Sequence, residues 1–199
     1  VTTAWLLGKD YFRNEVNWKW VEPLPIPPPP NNVRGVGLNS DMLRDPMWAK
    51  LRGSAEHGPF FPDDMVAKTQ DHLYHAEFKN GSEFQGKSAA VDDPKTHGGA
   101  TLTFDWLDEE CEYEIFRENQ MRIRGTKLHP AGGKLLVTAT PLADVGTVVT
   151  PWIQDLIDKW RMGDPSIGVI FMATERNPFL SAEYVSRHKS RVAGLPDEQ

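Results

Sequence analysis

Residues Thr101–Glu110 read TLTFDWLDEE, an apolar run that breaks off into three consecutive carboxylates. A strand inside a parallel sheet is buried on both faces, so it carries apolar residues without alternation. The carboxylates then fall at the strand's carboxyl end, where open α/β sheets place their ligands. Some thirty residues later, Lys134–Pro141 reads KLLVTATP and predicts a second buried strand ending in Thr138 and Thr140. The plainer reading of Asp108, Glu109 and Glu110 is that acidic residues open a helix, whose dipole favours them there. The threonine-rich end of the second run is what turns the balance toward a site.

Composition narrows the classes. The chain has 199 residues, 39% of them hydrophobic, and seven tryptophans. That is enough for one substantial core. A net charge of −6 gives no global case for nucleic acid, although local basic patches matter more than the sum. The single cysteine, Cys111, excludes an internal disulfide and points to a reducing compartment. Beside three carboxylates its thiol has no electropositive neighbour to activate it, so it reads as a small buried residue. No apolar run is long enough to span a membrane, and no signal-peptide pattern opens the chain. The start at Val1 and the stop at Gln199 suggest an excerpt from something longer.

In chain order, Thr3–Gly8 reads as a buried strand and Lys9–Val21 as a helix. Pro23–Pro30, with six prolines in eight residues, reads as a stiff polyproline connector. Between residues 31 and 75 the pattern is weak: a short helix interrupted by Pro46 and another over Pro62–Thr69 are expected. His72 and His75 have metal-clip spacing but no third ligand nearby, and a surface pair is the better reading. Ala76–Ser88 predicts a hairpin about the Asn80-Gly81 turn. Within it, Gly81–Ser88 spells G-x-x-x-x-G-K-S, the phosphate-loop pattern. Such a loop needs a strand before it and a helix after it. The following AAVDDPKTHGG contains Pro94 and a glycine pair, so the match is taken as coincidence and the segment as plain strand. Glu112–Ile123 predicts a helix with Tyr113, Ile115, Phe116 and Met121 on its apolar side. Thr150 and Pro151 start another helix, with Trp152, Ile153, Leu156, Ile157 and Trp160 on one face. Ile167–Thr174 reads as a last buried strand. Ser181 caps a final helix through Val192, bearing Arg187, His188, Lys189 and Arg191, a basic patch that as a rule is a solvated face and that in a DNA-handling protein could also meet phosphates.

The ordered series NGSEFQGKS, TLTFDWLDEE, GGKLLVTATPL and RNPFL resembles the ATPase domain of the large terminase subunit, the motor of tailed-virus DNA packaging. The resemblance covers most of residues 1–199 and lies in the order of the motifs. It implies an α/β fold of the P-loop NTPase kind: a mostly parallel sheet with helices on both faces, a single partial ATPase domain over 1–199. The phosphate loop is expected upstream of Val1, and no nuclease domain is recognisable. The resemblance further implies ATP and Mg2+ as cofactors. Asp108 then holds the metal through water and Glu109 is the general base for the attacking water. Thr138 and Thr140 couple hydrolysis to movement, and Arg122 contacts phosphate or a neighbouring subunit. Double-stranded DNA, the capsid portal and the small terminase subunit are the implied partners, with a homo-oligomer during packaging in the host cytoplasm. Another P-loop ATPase such as a helicase, or a non-catalytic interaction domain, are the alternatives.

Overall fold

The structure, a computed structural model, describes residues 2–13, 18–53, 59–125, 130–139, 150–171 and 181–186. The chain forms two compact units, Val1–Thr140 and Pro141–Gln199.

The first unit is built on a six-stranded sheet: β1 (Asn32–Gly37), β2 (Val66–Gln70), β3 (His75–Phe78), β4 (Glu83–Ser88), β5 (Phe104–Asp108) and β6 (Lys134–Thr138). Their order is β2-β3-β4-β1-β5-β6. The strands β4, β1, β5 and β6 run parallel, and β2 and β3 add an antiparallel hairpin at one side. The β3–β4 hairpin and the strands β5 and β6 stand where the sequence puts them. But β6, expected as a buried strand, is an edge strand with Lys134 and Thr138 exposed and the residues between them half-buried. The centre of the sheet, β1, was not legible in the sequence.

Helices cover both faces. On one, α1 (Thr2–Leu7) and a helical stretch after β1 meet the row Val33, Phe84 and Phe104. That stretch runs as α3 (Ser40–Met42), a π-helical turn (Leu43–Trp48) and α4 (Ala49–Arg52). Asn39 caps it, its side chain accepting from the Met42 amide at 2.9 Å. Pro46 has no N–H for an ordinary helical bond, and the helix passes it by widening instead of ending. Glycines let this layer close on the sheet. A Cβ on Gly35 would stand 2.6 Å from Met47 Sδ, and one on Gly37 only 2.8 Å from the Leu43 nitrogen. On the other face lies α5 (Tyr113–Gln120), burying Ile115, Phe116 and Asn119. Tyr113 and Met121, expected on its apolar side, are exposed.

Three local readings are corrected. Thr3–Gly8 is not a strand: Thr2–Leu7 is helix α1, with Ala4 to Leu7 all buried. A short run that is apolar all round looks the same in either geometry. The helix stops at Gly8, φ +82°, and its last carbonyls are bonded by side chains. Asn31 Nδ2 donates to Trp5 O at 2.9 Å, and Asn80 Nδ2 donates to Leu6 O at 2.9 Å. Trp5 stacks on Phe104 at 5.0 Å between ring centroids. Secondly, Pro62–Thr69 is a turn leading into β2, because pairing with β3 decides what Met65–Thr69 alone does not. Lastly, Ile167–Phe171 forms no strand, and Ile170 and Phe171 are exposed.

The helix expected over Lys9–Val21 is present as a 3-10 turn (Lys9–Phe12) and α2 (Trp18–Val21), with 14–17 outside the described residues. Pro23–Pro30 is neither helix nor strand, as its prolines require. In the second unit α6 (Pro151–Arg161) forms as expected, Pro151 in its first turn and Trp152 buried. Ser181 caps the next helix, its Oγ accepting from the Tyr184 amide at 3.1 Å. Thr140, the RNPFL segment and the basic residues Arg187, His188, Lys189 and Arg191 lie outside the described residues.

Candidate active site at the carboxyl edge of the parallel strands

The four parallel strands end in one row. Gly37 is the register partner of Ser88 on one side and Asp108 on the other, and Asp108 is the partner of Thr138. Two-sided burial drives β5 into the sheet, and the run of carboxylates ends it at this edge. Asp108 and Thr138, selected from sequence on separate runs, therefore sit side by side. The Thr138 hydroxyl donates to Asp108 Oδ1 at 2.8 Å and accepts from Trp106 Nε1 at 2.8 Å. A hydroxyl has one proton to give and lone pairs to receive, so the indole fixes which way Thr138 donates. Trp106 is thus a positioning residue that sequence reading passed over. Its signal was its place two residues before Asp108, on the same face of β5.

Immediately past Asp108 the chain turns. The Glu109 amide donates to the Thr138 carbonyl at 2.7 Å, and Glu109 has φ +75°. A non-glycine residue in this region costs roughly 1 kcal/mol or more. The positive φ takes Glu109 off the alternation of the strand, directly beside the Asp108–Thr138 pair. Cys111 is buried, and burial pushes its thiol up to about 11, the inert state expected of it.

Arg122 is not brought to this edge. Its carbonyl accepts from the Leu102 amide at 2.8 Å, before β5 begins, so it stands at the opposite end of the strand. Its guanidinium pairs with Glu118 one helical turn back. The phosphate-loop look-alike is extended, as expected: Glu83–Ser88 is strand β4, followed by a turn and not by a helix. Lys87 shares its row with Val36 and Leu107, the face opposite Asp108, and reaches Asp92 at 4.0 Å. His75 lies 3.8 Å from Glu83. Among the described residues no three His, Cys, Asp or Glu side chains come together to hold a metal. Nor is any helix among them long and apolar enough to cross a membrane.

A second polar cluster lies under α5, three residues back along β5, and sequence reading missed it. Arg34, 1% exposed, donates through Nη1 to His97 O at 2.8 Å and to Asn119 Oδ1 at 2.9 Å. Asp105, its register partner on β5, is fully buried, and neither carboxylate oxygen makes a hydrogen bond of good geometry. Burial pushes that carboxyl up to about 7, against the smaller opposing pulls of Arg34 and the Trp106 amide. His97 is pushed down by burial and by the Arg34 charge. An acid in the middle of an apolar strand was the available signal.

No family model matches the chain, and no curated protein matches it. Among solved structures it is similar to the large terminase ATPase domain of Thermus phage P74-26, at 19% identity over 85% of this chain and 73% of that one, with a TM-score of 0.48. An arginine-to-alanine mutant of the same domain is similar at 16% identity over 72% of this chain and 78% of that one, with a TM-score of 0.35. These domains are what the chain is similar to.

Proposed function

We propose that the chain is part of a DNA-packaging ATPase of the large terminase type, in which ATP hydrolysis drives double-stranded DNA into a capsid. The observation that carries this reading is the Asp108–Thr138 pair at the carboxyl ends of adjacent parallel strands. Ligand sites of open α/β sheets lie at such ends.

The donor set fits a magnesium ion bound with ATP. It offers a carboxylate and a hydroxyl, hard oxygen donors, with no closed cluster of ligands around them among the described residues. Magnesium keeps several of its waters and takes one or two protein carboxylates, unlike a structural zinc. Asp108 would hold it through water. When bound, the ion neutralises charge on the phosphates. Glu109 orients the attacking water and accepts its proton. Thr138, tied to Asp108 on one side and to Trp106 on the other, passes the state of the site into β6, and, as part of this proposal, Thr140 keeps the coupling role that the family resemblance implies for it. Arg122, far from Asp108 along β5, suits contact with a neighbouring subunit of a homo-oligomer better than contact with phosphate of its own site.

On this reading residues 1–199 belong to one ATPase domain whose phosphate loop lies upstream. Portal, small terminase subunit and DNA are its partners in the host cytoplasm. The test is ATP hydrolysis by the complete protein, with and without magnesium and double-stranded DNA. Magnesium-dependent hydrolysis, raised by DNA, is expected. A complete protein that binds no nucleotide in magnesium overturns the reading.

A further inference from the structure

Arg34 occupies the middle of a three-strand row, with Gln85 of β4 on one side and Asp105 of β5 on the other. It makes no hydrogen bond to the acid. Its Nη2 points to Gln85 Oε1 at 3.5 Å, its Nη1 holds the His97 carbonyl and Asn119, and its Nε is buried with no hydrogen-bond partner. The edge formed by Nε and Nη2 is therefore the weakly used edge of the guanidinium. That edge can grip a carboxylate with two parallel bonds. One strand away, Asp105 keeps two buried oxygens without such a bond.

A buried acid of this kind is tolerable while neutral and costly once charged, unless a cation comes to it. We propose that Arg34 is a two-position latch: it holds the His97 carbonyl and Asn119 while Asp105 is neutral, and crosses to Asp105 when that carboxyl ionises, releasing the turn at Pro94–His97. The crossing is driven by the gain of a bidentate charged pair, and it is opposed by loss of the two Nη1 bonds. The other polar groups around the pair set where the balance falls. From the β4 side these are Gln85, Lys87 and, past the strand, Asp92. From α5 it is Glu118, just past it Arg122, and just before it Cys111 and Glu112; from the turn it is His97 itself. The upward displacement of the Asp105 carboxyl to about 7 puts the switch near neutrality.

The turn's own bonds are local, apart from the buried His97 ring, whose Nδ1 lies 3.1 Å from the Asn119 amide nitrogen of α5. Its Thr96 amide bonds to Asp93 O at 2.7 Å and its Gly98 amide to Lys95 O at 3.0 Å. Freeing the His97 carbonyl removes the tie from this turn to β1.

Hydrogen exchange of the Thr96 and Gly98 amides, followed across pH in the wild-type chain and in Asp105→Asn, tests the latch. Below the carboxyl's pKa the ionised fraction rises about tenfold per pH unit, and above it the fraction saturates. Protection in the wild type, taken relative to Asp105→Asn at each pH, is therefore expected to fall about tenfold per unit below roughly pH 6 and to level off above about pH 7. Equal protection in both at every pH overturns the proposal. Should Asp105→Asn not fold, carboxyl-carbon NMR of the wild type decides: the Asp105 titration and the Gly98 amide shift must share one midpoint. A Gly98 signal that ignores the Asp105 titration overturns it equally.

Discussion

Thr138 and Asp108 are register partners at the carboxyl ends of two parallel strands, and the hydroxyl of the first donates to the carboxylate of the second at 2.8 Å. Thirty residues of chain separate them. The contact exists because β5 and β6 are adjacent and in register, so it reports on the whole parallel half of the sheet.

Thr138→Val keeps the β-branched shape and removes only the hydroxyl. Asp108 loses a donor and the Trp106 indole loses an acceptor. Thr138 is exposed, so water substitutes and stability changes by about 1 kcal/mol or less. Hydrolysis by the complete protein is expected to fall on the order of tenfold, the scale of one hydrogen bond to a charged group. Unchanged hydrolysis removes Thr138 from the site.

Gly37→Ala tests how closely the layer over the sheet approaches this edge. The added Cβ meets the Leu43 backbone, nitrogen at 2.8 Å and Cα at 3.0 Å, and backbone cannot swing aside. A loss of roughly 1–3 kcal/mol in chemical unfolding is expected, as for overpacking elsewhere. The counterpart Gly98→Ala does not serve as control, since it too meets backbone, the Lys95 carbonyl at 2.8 Å. An unaltered unfolding midpoint for Gly37→Ala contradicts the packing described.

How much of this was legible varied with how local its cause was. The β3–β4 hairpin follows from Asn80-Gly81 and the alternation beside it, and β5 and β6 from mostly apolar runs, that of β5 interrupted by Asp105. The centre of the sheet, NVRGVG, defeats pattern reading because three of its residues answer to tertiary contacts. Gly35 and Gly37 admit the Met47 and Leu43 layer, and Arg34 serves a buried cluster assembled from β1, β5, α5 and the Pro94–His97 turn. The Asp108–Thr138 pair was foreseeable because strand ends converge in any parallel sheet. Its anchor, Trp106, was not, because an indole in an apolar strand ordinarily packs.

The buried acid gives a pH dependence with a fixed sign. Asp105 titrates near 7 in the folded chain, above its ordinary range, so the native state holds a proton that the unfolded chain has released. Its stabilising contribution is complete below about pH 4 and is lost as pH rises through about 7. The amplitude reaches up to about 4 kcal/mol, less whatever Arg34 returns to the anion. His97, displaced downward, works the other way: its contribution is present above about pH 6.5 and lost as pH falls through its lower folded value. Urea unfolding at pH 5 and pH 8 is expected to show wild type losing more stability on the rise than Asp105→Asn. An identical change in both removes Asp105 as the cause.

Lys87→Ala distinguishes a strand from a phosphate loop. In β4 this lysine has only a 4.0 Å approach to Asp92, both groups partly exposed, worth under about 1 kcal/mol. Stability and hydrolysis are expected to stay within a few-fold of wild type. A loss on the order of a thousandfold, the scale of a missing transition-state cation, would make Gly81–Ser88 the working loop after all.

The most direct measurement compares ATP binding and turnover in the complete protein for Glu109→Gln, Asp108→Asn and Glu110→Gln. Glu109→Gln keeps size and an acceptor oxygen while removing basicity, so binding is retained and turnover falls about 10² to 10⁴, as for a missing general base. Asp108→Asn weakens magnesium-dependent binding itself, because it alters the metal's oxygen shell. Glu110→Gln, a residue farther along the turn, changes little. If Glu110 proves essential while Glu109 is dispensable, both assigned roles are wrong and the account of this edge as an ATPase site in the stated register is contradicted.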